Sequence, residues 1–268
     1  MNCKIIAHRG ANKKAPQNTM PAFRLAVQER ADGFETDVHL TKDGVPVICH
    51  NATIDATSDG RGFIGDYTLG ELRKFDFGSY FSGDYAGTQA PTLEEFLTLA
   101  KGAALDPINI ELKSPRLRKE ELVHKTLETV KAFDIVDRVI VSSFDPRILK
   151  LVKAELPECR TGLLYPCSDL RISGPMLAPL YCAKKIGADY IHPASILVNR
   201  ALVLAAHRLK LGVNVWTVDS ARVTAFLMRC GVDGIITDCP AEVREYAEAA
   251  EHTPVSDPPL FAHAKDEA

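Results

Sequence analysis

Short apolar runs alternate with amphipathic, helix-length segments along almost the whole chain. Runs of β-branched and other apolar residues bounded by turn residues predict strands at 4–8, 33–38, 108–113, 139–143, 160–165, 189–192, 213–218 and 234–238. Between them, apolar positions recur at helical spacing over Thr19–Arg30, Thr92–Lys101, Leu117–Phe133, Asp145–Leu156, Arg200–Leu211 and Ser220–Cys230. Asp145-Pro146 opens a helix well, and Gly212 and Gly231 stand where helices should end. Eight strands alternating with helices over about 250 residues predict an α/β protein built as a TIM (β/α)8 barrel. A doubly wound open sheet is the alternative, weakened because no dinucleotide-type glycine loop follows the first strand.

Two segments depart from a plain barrel. Residues 45–50 follow strand two after a Lys42-Asp43-Gly44 turn, which predicts a hairpin with that strand. Residues 51–91 hold few apolar repeats and many Gly, Asp, Thr and aromatic residues, and predict a small insertion lobe over the barrel mouth. No internal repeat or linker divides the rest. The chain reads as one domain over residues 1–251, followed by an extended, proline-bearing tail at 252–268.

A formal net charge of −3 gives no long-range attraction for nucleic acid or anionic lipid, so an anionic substrate needs local positive charge. No apolar stretch approaches the length of a membrane span, and the N-terminus has no export-signal pattern. The seven cysteines are scattered without a C-x-x-C pair. That predicts reduced, core-packed thiols in a cytoplasmic protein rather than a disulfide framework or a zinc site.

Side chains two apart on a strand share a face. Gly33, Glu35 and Asp37 therefore oppose Phe34, Thr36 and Val38, while Asn109, Glu111 and Lys113 alternate with Ile108, Ile110 and Leu112. The outer layer of a barrel is apolar, so the polar sets face inward and converge at the mouth. Glu35, Asp37 and Glu111 then form a carboxylate cluster whose mutual repulsion a hard divalent cation relieves. All-oxygen ligation favours Mg²⁺ or Ca²⁺ over zinc. The competing reading is a structural ion-pair network with Lys113, Arg9 and Lys4; Glu111, on a neighbouring strand, tips the balance toward metal.

His8 ends strand one and His50 ends the hairpin strand, so the two bracket the carboxylates. Such a pair suits phosphodiester cleavage, in which one group accepts the nucleophile's proton and another protonates the leaving alkoxide. Arg9 and Lys113 supply the local positive charge for a phosphate. Trp216, the only tryptophan, faces inward with Asn214 and serves either as core or as a wall beside the substrate. His39, His124, His192 and His207 lack such company and read as surface or packing residues.

These residues sit in an ordered set of short motifs. They include His8-Arg9-Gly10, Pro16-Gln17-Asn18-Thr19, Glu35-Thr36-Asp37-Val38, Thr41-Lys42-Asp43-Gly44, His50, Thr68-Leu69-Gly70-Glu71-Leu72, Glu111-Leu112-Lys113, Val215-Trp216-Thr217-Val218 and Gly231-Val232-Asp233-Gly234-Ile235-Ile236-Thr237-Asp238. In order and spacing they resemble the glycerophosphodiester phosphodiesterase family of the bacterial cytosolic type, over about residues 4–245. The resemblance implies a TIM barrel, a metal held by Glu35, Asp37 and Glu111, and catalysis by His8 and His50. It also implies hydrolysis of glycerophosphodiesters, such as glycerophosphocholine or glycerophosphoethanolamine, to glycerol 3-phosphate and an alcohol. The family usually has Glu where this chain has Gln17, Asp where it has Asn51, and often Arg where it has Ala56. Gln17 and Asn51, like Asn18, are therefore secondary site residues. Two further functions remain open: a phospholipase D-like enzyme acting on lysophospholipids, entered through the lobe's aromatics, and a catalytically weakened diester-binding protein.

Overall fold

A computed structural model describes residues 3–114, 118–165 and 178–252. Eight parallel strands close into a barrel: β1 (Lys4–His8), β2 (Gly33–Leu40), β4 (Ile108–Leu112), β5 (Val139–Ser143), β6 (Arg160–Tyr165), β7 (Tyr190–Pro193), β8 (Gly212–Val215) and β9 (Gly234–Thr237). Closure comes from β1, which pairs with β2 through Ile6↔Gly33 and His8↔Glu35, and with β9 from Lys4↔Gly234 to Ala7↔Thr237. The short strand β3 (Pro46–Ile48) lies antiparallel on β2, as the hairpin signal predicts. The (β/α)8 TIM barrel and all eight of its predicted strands are present.

Helices α1 (Met20–Gln28), α2 (Leu69–Leu72), α3 (Leu93–Gly102), α4 (Lys119–Ala132), α5 (Pro146–Glu155), α6 (Ala178–Ile186), α7 (Arg200–Arg208), α8 (Ala221–Cys230) and α9 (Pro240–His252) complete the described elements. Their starts follow local chemistry. Thr92 and Glu95 form a reciprocal capping box on α3, and Asp145 caps α5 with Pro146 in its first turn. Gly231 closes α8 in the left-handed region. Gly212 is not a helix end: α7 stops at Arg208, Lys210 takes the left-handed turn, and Gly212 opens β8. A Cβ at Gly212 would lie 2.3 Å from the Tyr190 ring, so close packing rather than capping accounts for that glycine. Helices α2, α6 and α9 lie outside the segments predicted as helical. Residues 253–268 of the predicted tail and Cys167 lie outside the described residues.

The core lies between barrel and helices. Phe34 on β2 meets Phe23 of α1 and Phe96 of α3 at centroid distances of 5.3 and 5.5 Å, and all three rings are fully buried. Burying a ring of this size contributes about 1.5–3 kcal/mol. Because Phe34, Thr36 and Val38 face this layer, Glu35 and Asp37 are turned inward, which is the alternation the sequence predicts. Five of the six described cysteines, all free, are buried, and Cys182 is half-buried. No helix among the described residues is long and apolar enough to cross a membrane.

The segment 51–91 has its own small core, where Ile54, Ile64, Leu72, Phe77 and Ala90 pack with Val47 and Cys49 of the hairpin. Of its aromatic residues, only Phe77 is fully within that core, with Tyr67 and Phe75 packed against it. Phe63, Tyr80 and Phe81 are exposed. Tyr80 and Tyr85 tie this lobe to the β1–α1 loop: the Tyr80 hydroxyl accepts from the Gln17 N–H at 3.1 Å, and the Tyr85 hydroxyl donates to Lys14 O at 2.9 Å.

The start of β2 is sterically closed. A Cβ at Gly33 would lie 2.2 Å from Pro107 O, the carbonyl that accepts the Phe34 N–H. Gly33→Ala must push β2 and the 106–107 turn apart and is expected to cost about 1–3 kcal/mol, the usual range for overpacking. A lower Tm by thermal denaturation checks this; an unchanged Tm would mean the strand shifts freely.

Candidate active site

Glu35 and Asp37 on β2 and Glu111 on β4 offer carboxylate oxygens that all lie within 4.8 Å of one another, and all three side chains are buried. The Asp37↔Glu111 register sets them side by side. Lys113 Nζ lies 2.8 Å from Asp37 Oδ1 and 2.6 Å from Glu111 Oε1, and Arg9 Nε lies 3.3 Å from Asp37 Oδ2. Asn18 Nδ2 donates to Asp37 Oδ2 at 2.7 Å and is itself held by Thr36 Oγ1, which donates to Asn18 Oδ1 at 3.0 Å.

The cations serve the carboxylates unequally. Burial works against ionisation of Asp37, but Lys113 and Arg9 hold its pKa below the ordinary carboxylate range. Burial, with the charges of Asp37 and Glu111, pushes Glu35 well above its ordinary value. Burial and the Asp37 charge push Glu111 up to about 7. The structural ion-pair reading thus accounts for Asp37 but leaves two carboxyls held against ionisation. Lys4, invoked in that reading, is exposed at the far end of β1. An all-oxygen set with this much uncompensated charge fits a hard divalent cation.

His8 ends β1, and the backbone beyond it turns sharply, with Arg9 and Gly10 both at positive φ. A Cβ at Gly10 would lie 2.6 Å from the α1 backbone at Ala22, so the turn needs glycine for both conformation and space. This turn sends the Arg9 side chain to Asp37 and to Gln17, whose Oε1 accepts from Arg9 Nη1 at 2.5 Å. His8 Nε2 lies 3.8 Å from Glu35 Oε2, and its Nδ1 lies 2.6 Å from Asp238 Oδ1. His50 follows β3, with its Nδ1 2.8 Å from Asn51 Oδ1. Burial pushes His50 down to about 4, with Asp37 opposing and Lys113 and Arg9 adding to the effect.

One cavity of about 140 Å³ gathers these groups. His8, Arg9, Glu35, His50, Glu111 and Lys113 form its charged side, with Asn109 among the lining residues. Phe144, Leu164, Trp216 and Ile236 are its apolar lining residues. Trp216, just past the end of β8, is fixed by its indole N–H donating to His192 O at 2.7 Å and by an edge-to-face contact with Phe144 at 5.7 Å. Asp37, Gln17, Asn18 and Asn51 contact these lining residues or one another, so all eleven predicted site residues meet in one place.

His39, His124, His192 and His207 stay apart from the cavity lining. His124 and His207 pair with Glu155 and Asp233 at the surface. His39 bonds the backbone carbonyl of His50 at 3.3 Å. His192 is fully buried, bonds Asn214 at 3.2 Å, and is pushed down to about 3 by burial. The sequence reading passed over Asn12, Asp238, Asn109, Tyr80 and Phe144 as site residues. For Asp238 and Phe144 a signal existed: Asp238 is the last residue of a predicted strand and Phe144 directly follows another, both at the end that forms a barrel's mouth.

Residues 8–242 match the model of the glycerophosphoryl diester phosphodiesterase family. The chain is 38% identical to a glycerophosphodiester phosphodiesterase of Caldanaerobacter subterraneus subsp. tengcongensis over 240 residues, covering 90% of this chain and 96% of that protein. It is 35% identical to a glycerophosphodiester phosphodiesterase of Bacillus altitudinis, covering 88% and 95%. Among solved structures it is similar to an Oleispira antarctica phosphodiesterase in complex with its product sn-glycerol-3-phosphate, with a TM-score of 0.84, 27% identity and coverage of 91% and 96%. The matched span takes in every charged residue that lines the cavity, from His8 to Lys113. This chain belongs to the glycerophosphoryl diester phosphodiesterase family.

Proposed function

We propose that this chain hydrolyses glycerophosphodiesters, such as glycerophosphocholine or glycerophosphoethanolamine, to glycerol 3-phosphate and an alcohol, with Mg²⁺ or Ca²⁺ as cofactor. The observation that carries this reading is a cavity lined by two histidines, two cations and apolar residues, set against a buried three-carboxylate cluster. The family membership and the product seen in the Oleispira antarctica enzyme support the substrate class.

Glu35, Asp37 and Glu111 would hold the cation. When bound, it polarises a phosphate oxygen and offsets charge developing in the transition state. Arg9 and Lys113 hold the remaining phosphate oxygens. One of His8 and His50 accepts the nucleophile's proton and the other protonates the departing alkoxide. Trp216 and Phe144 provide an apolar surface for the carbon portions of the substrate. Gln17 and Asn51 keep Arg9 and His50 in place by hydrogen bonding, without the charge of the family's usual acids. The free, scattered cysteines fit a reducing compartment, the cytoplasm.

The test is release of glycerol 3-phosphate from glycerophosphocholine and glycerophosphoethanolamine after EDTA treatment and after restoring Mg²⁺ or Ca²⁺. Cation-dependent release is expected. Absence of release with either ion from folded protein would overturn the reading. The exposed Phe63, Tyr80 and Phe81 favour one alternative, a lysophospholipid substrate, which faster turnover of the acylated diester would reveal.

A further inference from the structure

His8 presents one ring nitrogen to the cavity and the other to a hydrogen-bonded frame behind it. The cavity-side nitrogen is Nε2, near Glu35. The rear nitrogen, Nδ1, lies 2.6 Å from Oδ1 of Asp238, just beyond β9. Burial would raise the Asp238 pKa, but the bonds from His8 and Asn12 hold it below its ordinary value, so the group is a carboxylate. A carboxylate only accepts, so the hydrogen resides on Nδ1 of His8. The neutral ring then carries its lone pair on Nε2, toward the cavity.

The frame is braced from several sides. Asn12 Nδ2 donates to Asp238 Oδ1 at 2.6 Å and to the His8 carbonyl at 2.7 Å, so one amide grips both partners. The Asp238 backbone N–H donates to Asp219 Oδ1 at 2.9 Å, and the same oxygen accepts from Thr237 Oγ1 at 2.9 Å. Lys13 Nζ lies 3.2 Å from Asp219 Oδ2, and the Lys13 N–H donates to the Asp238 carbonyl at 3.2 Å. Asp238 and Asn12 are not among the cavity-lining residues.

From this geometry we propose that Asp238, gripped by Asn12, is a positioning residue that fixes the ring orientation and tautomer of His8. The proposal rests on the function given above in one respect, that His8 meets the substrate. Without the carboxylate the ring is free to turn and to place its hydrogen on Nε2, where a proton acceptor is needed in one half of the reaction.

The test uses the full chain with Asp238→Ala, Asp238→Asn and Asn12→Ala. Two readouts are taken: kcat and KM on glycerophosphocholine with saturating cation, and the side-chain ¹H–¹⁵N spectrum of histidine-labelled protein, with His8→Ala assigning the signal. The wild-type His8 is expected as the Nδ1–H tautomer. Asp238→Ala is expected to lose that signature and to lower kcat about 10- to 100-fold, the usual cost of removing a group that orients an imidazole, with KM within about threefold. Asp238→Asn retains an oxygen for both donors, so it should keep the tautomer and recover part of kcat. Asn12→Ala should lower kcat less than Asp238→Ala.

An Asp238→Ala protein with wild-type kcat, or with the His8 tautomer unchanged, overturns the proposal. So does a loss of Tm with kcat and KM both unmoved, which marks a merely structural tie between β9 and the β1–α1 loop. If Asp238→Ala does not fold, Asp238→Asn and Asn12→Ala decide by the same spectrum and the same kinetics. If the wild type releases no glycerol 3-phosphate, the functional reading fails, and the His8 spectrum still decides whether Asp238 sets the ring.

Discussion

Alanine in place of His50 is expected to lower kcat on a glycerophosphodiester at least about a hundredfold, and alanine in place of His8 to do the same. Diester hydrolysis requires two proton movements, one from the nucleophile and one to an alkoxide that is otherwise a poor leaving group. Two imidazoles line the cavity, each held from behind by its own partner, Asp238 or Asn51. Among the described residues no other histidine lines the cavity: His39 is engaged with the His50 backbone, and His192 is bonded to Asn214. Arg9 and Lys113 remain in both variants, so substrate affinity should change far less than turnover. Steady-state kinetics of the two variants check this, and near-normal turnover in both would sink the assignment of the pair.

Glu111→Gln is expected to give the second large effect, a loss of the protein's response to divalent cation. Removing one of three carboxylates should weaken cation binding by more than the roughly 10–100-fold that loss of an outer partner costs, and activity at moderate Mg²⁺ or Ca²⁺ should fall with it. Stability supplies an independent signature. The Glu111 carboxyl has an ordinary value of 4.5 and is pushed up to about 7 by burial and by Asp37. Between those values the folded state binds more protons than the unfolded state, so this group's contribution to stability falls as pH rises through the window. Glu35 acts in the same direction. The Tm of the EDTA-treated protein should therefore carry a component that declines from about pH 4.5 to 7. Added cation should raise Tm more at pH 7 than at pH 5. In Glu111→Gln both the declining component and the cation's gain should shrink. Equal gains at both pH values would show that the cation binds elsewhere.

The strands were legible because their outward residues must be apolar and their inward ones need not be. The run from Gly33 to Val38 alternates cleanly, so it disclosed both a strand and the face on which Glu35 and Asp37 lie. Glu111 was legible for the same reason, and register with Asp37 then placed it within the cluster. Beyond α2, a single turn within the lobe, two longer helices lie outside the prediction for physical reasons. In α9 only Val243 and Ala247 are in the buried core, too sparse a stripe to stand out in an Ala/Glu-rich segment. In α6 the core stripe is Leu180, Ala183 and Ile186, but Pro179, Tyr181 and Cys182 around it are also apolar and hide the periodicity. Gly212 misled because a glycine after a helix is a good stop signal, whereas here the Tyr190 ring requires it. Local spacing carries no trace of the Asp238–His8 contact, because the two residues are 230 positions apart and meet only through barrel closure.

That closure also governs when a nascent chain becomes an enzyme. The strand bearing His8 is made before every other strand of the barrel, and the strand leading to Asp238 is the last of them. A ribosome-bound chain released before residue 234 lacks both β9, which flanks β1 on the side away from β2, and the carboxylate behind His8, however well its first seven parallel strands have formed. Closing so long a loop is an entropic cost met late in folding. Activity therefore reports assembly of the whole barrel rather than of any part. A truncated product or half-folded intermediate would carry most of the acidic and basic groups of the site without their proper arrangement.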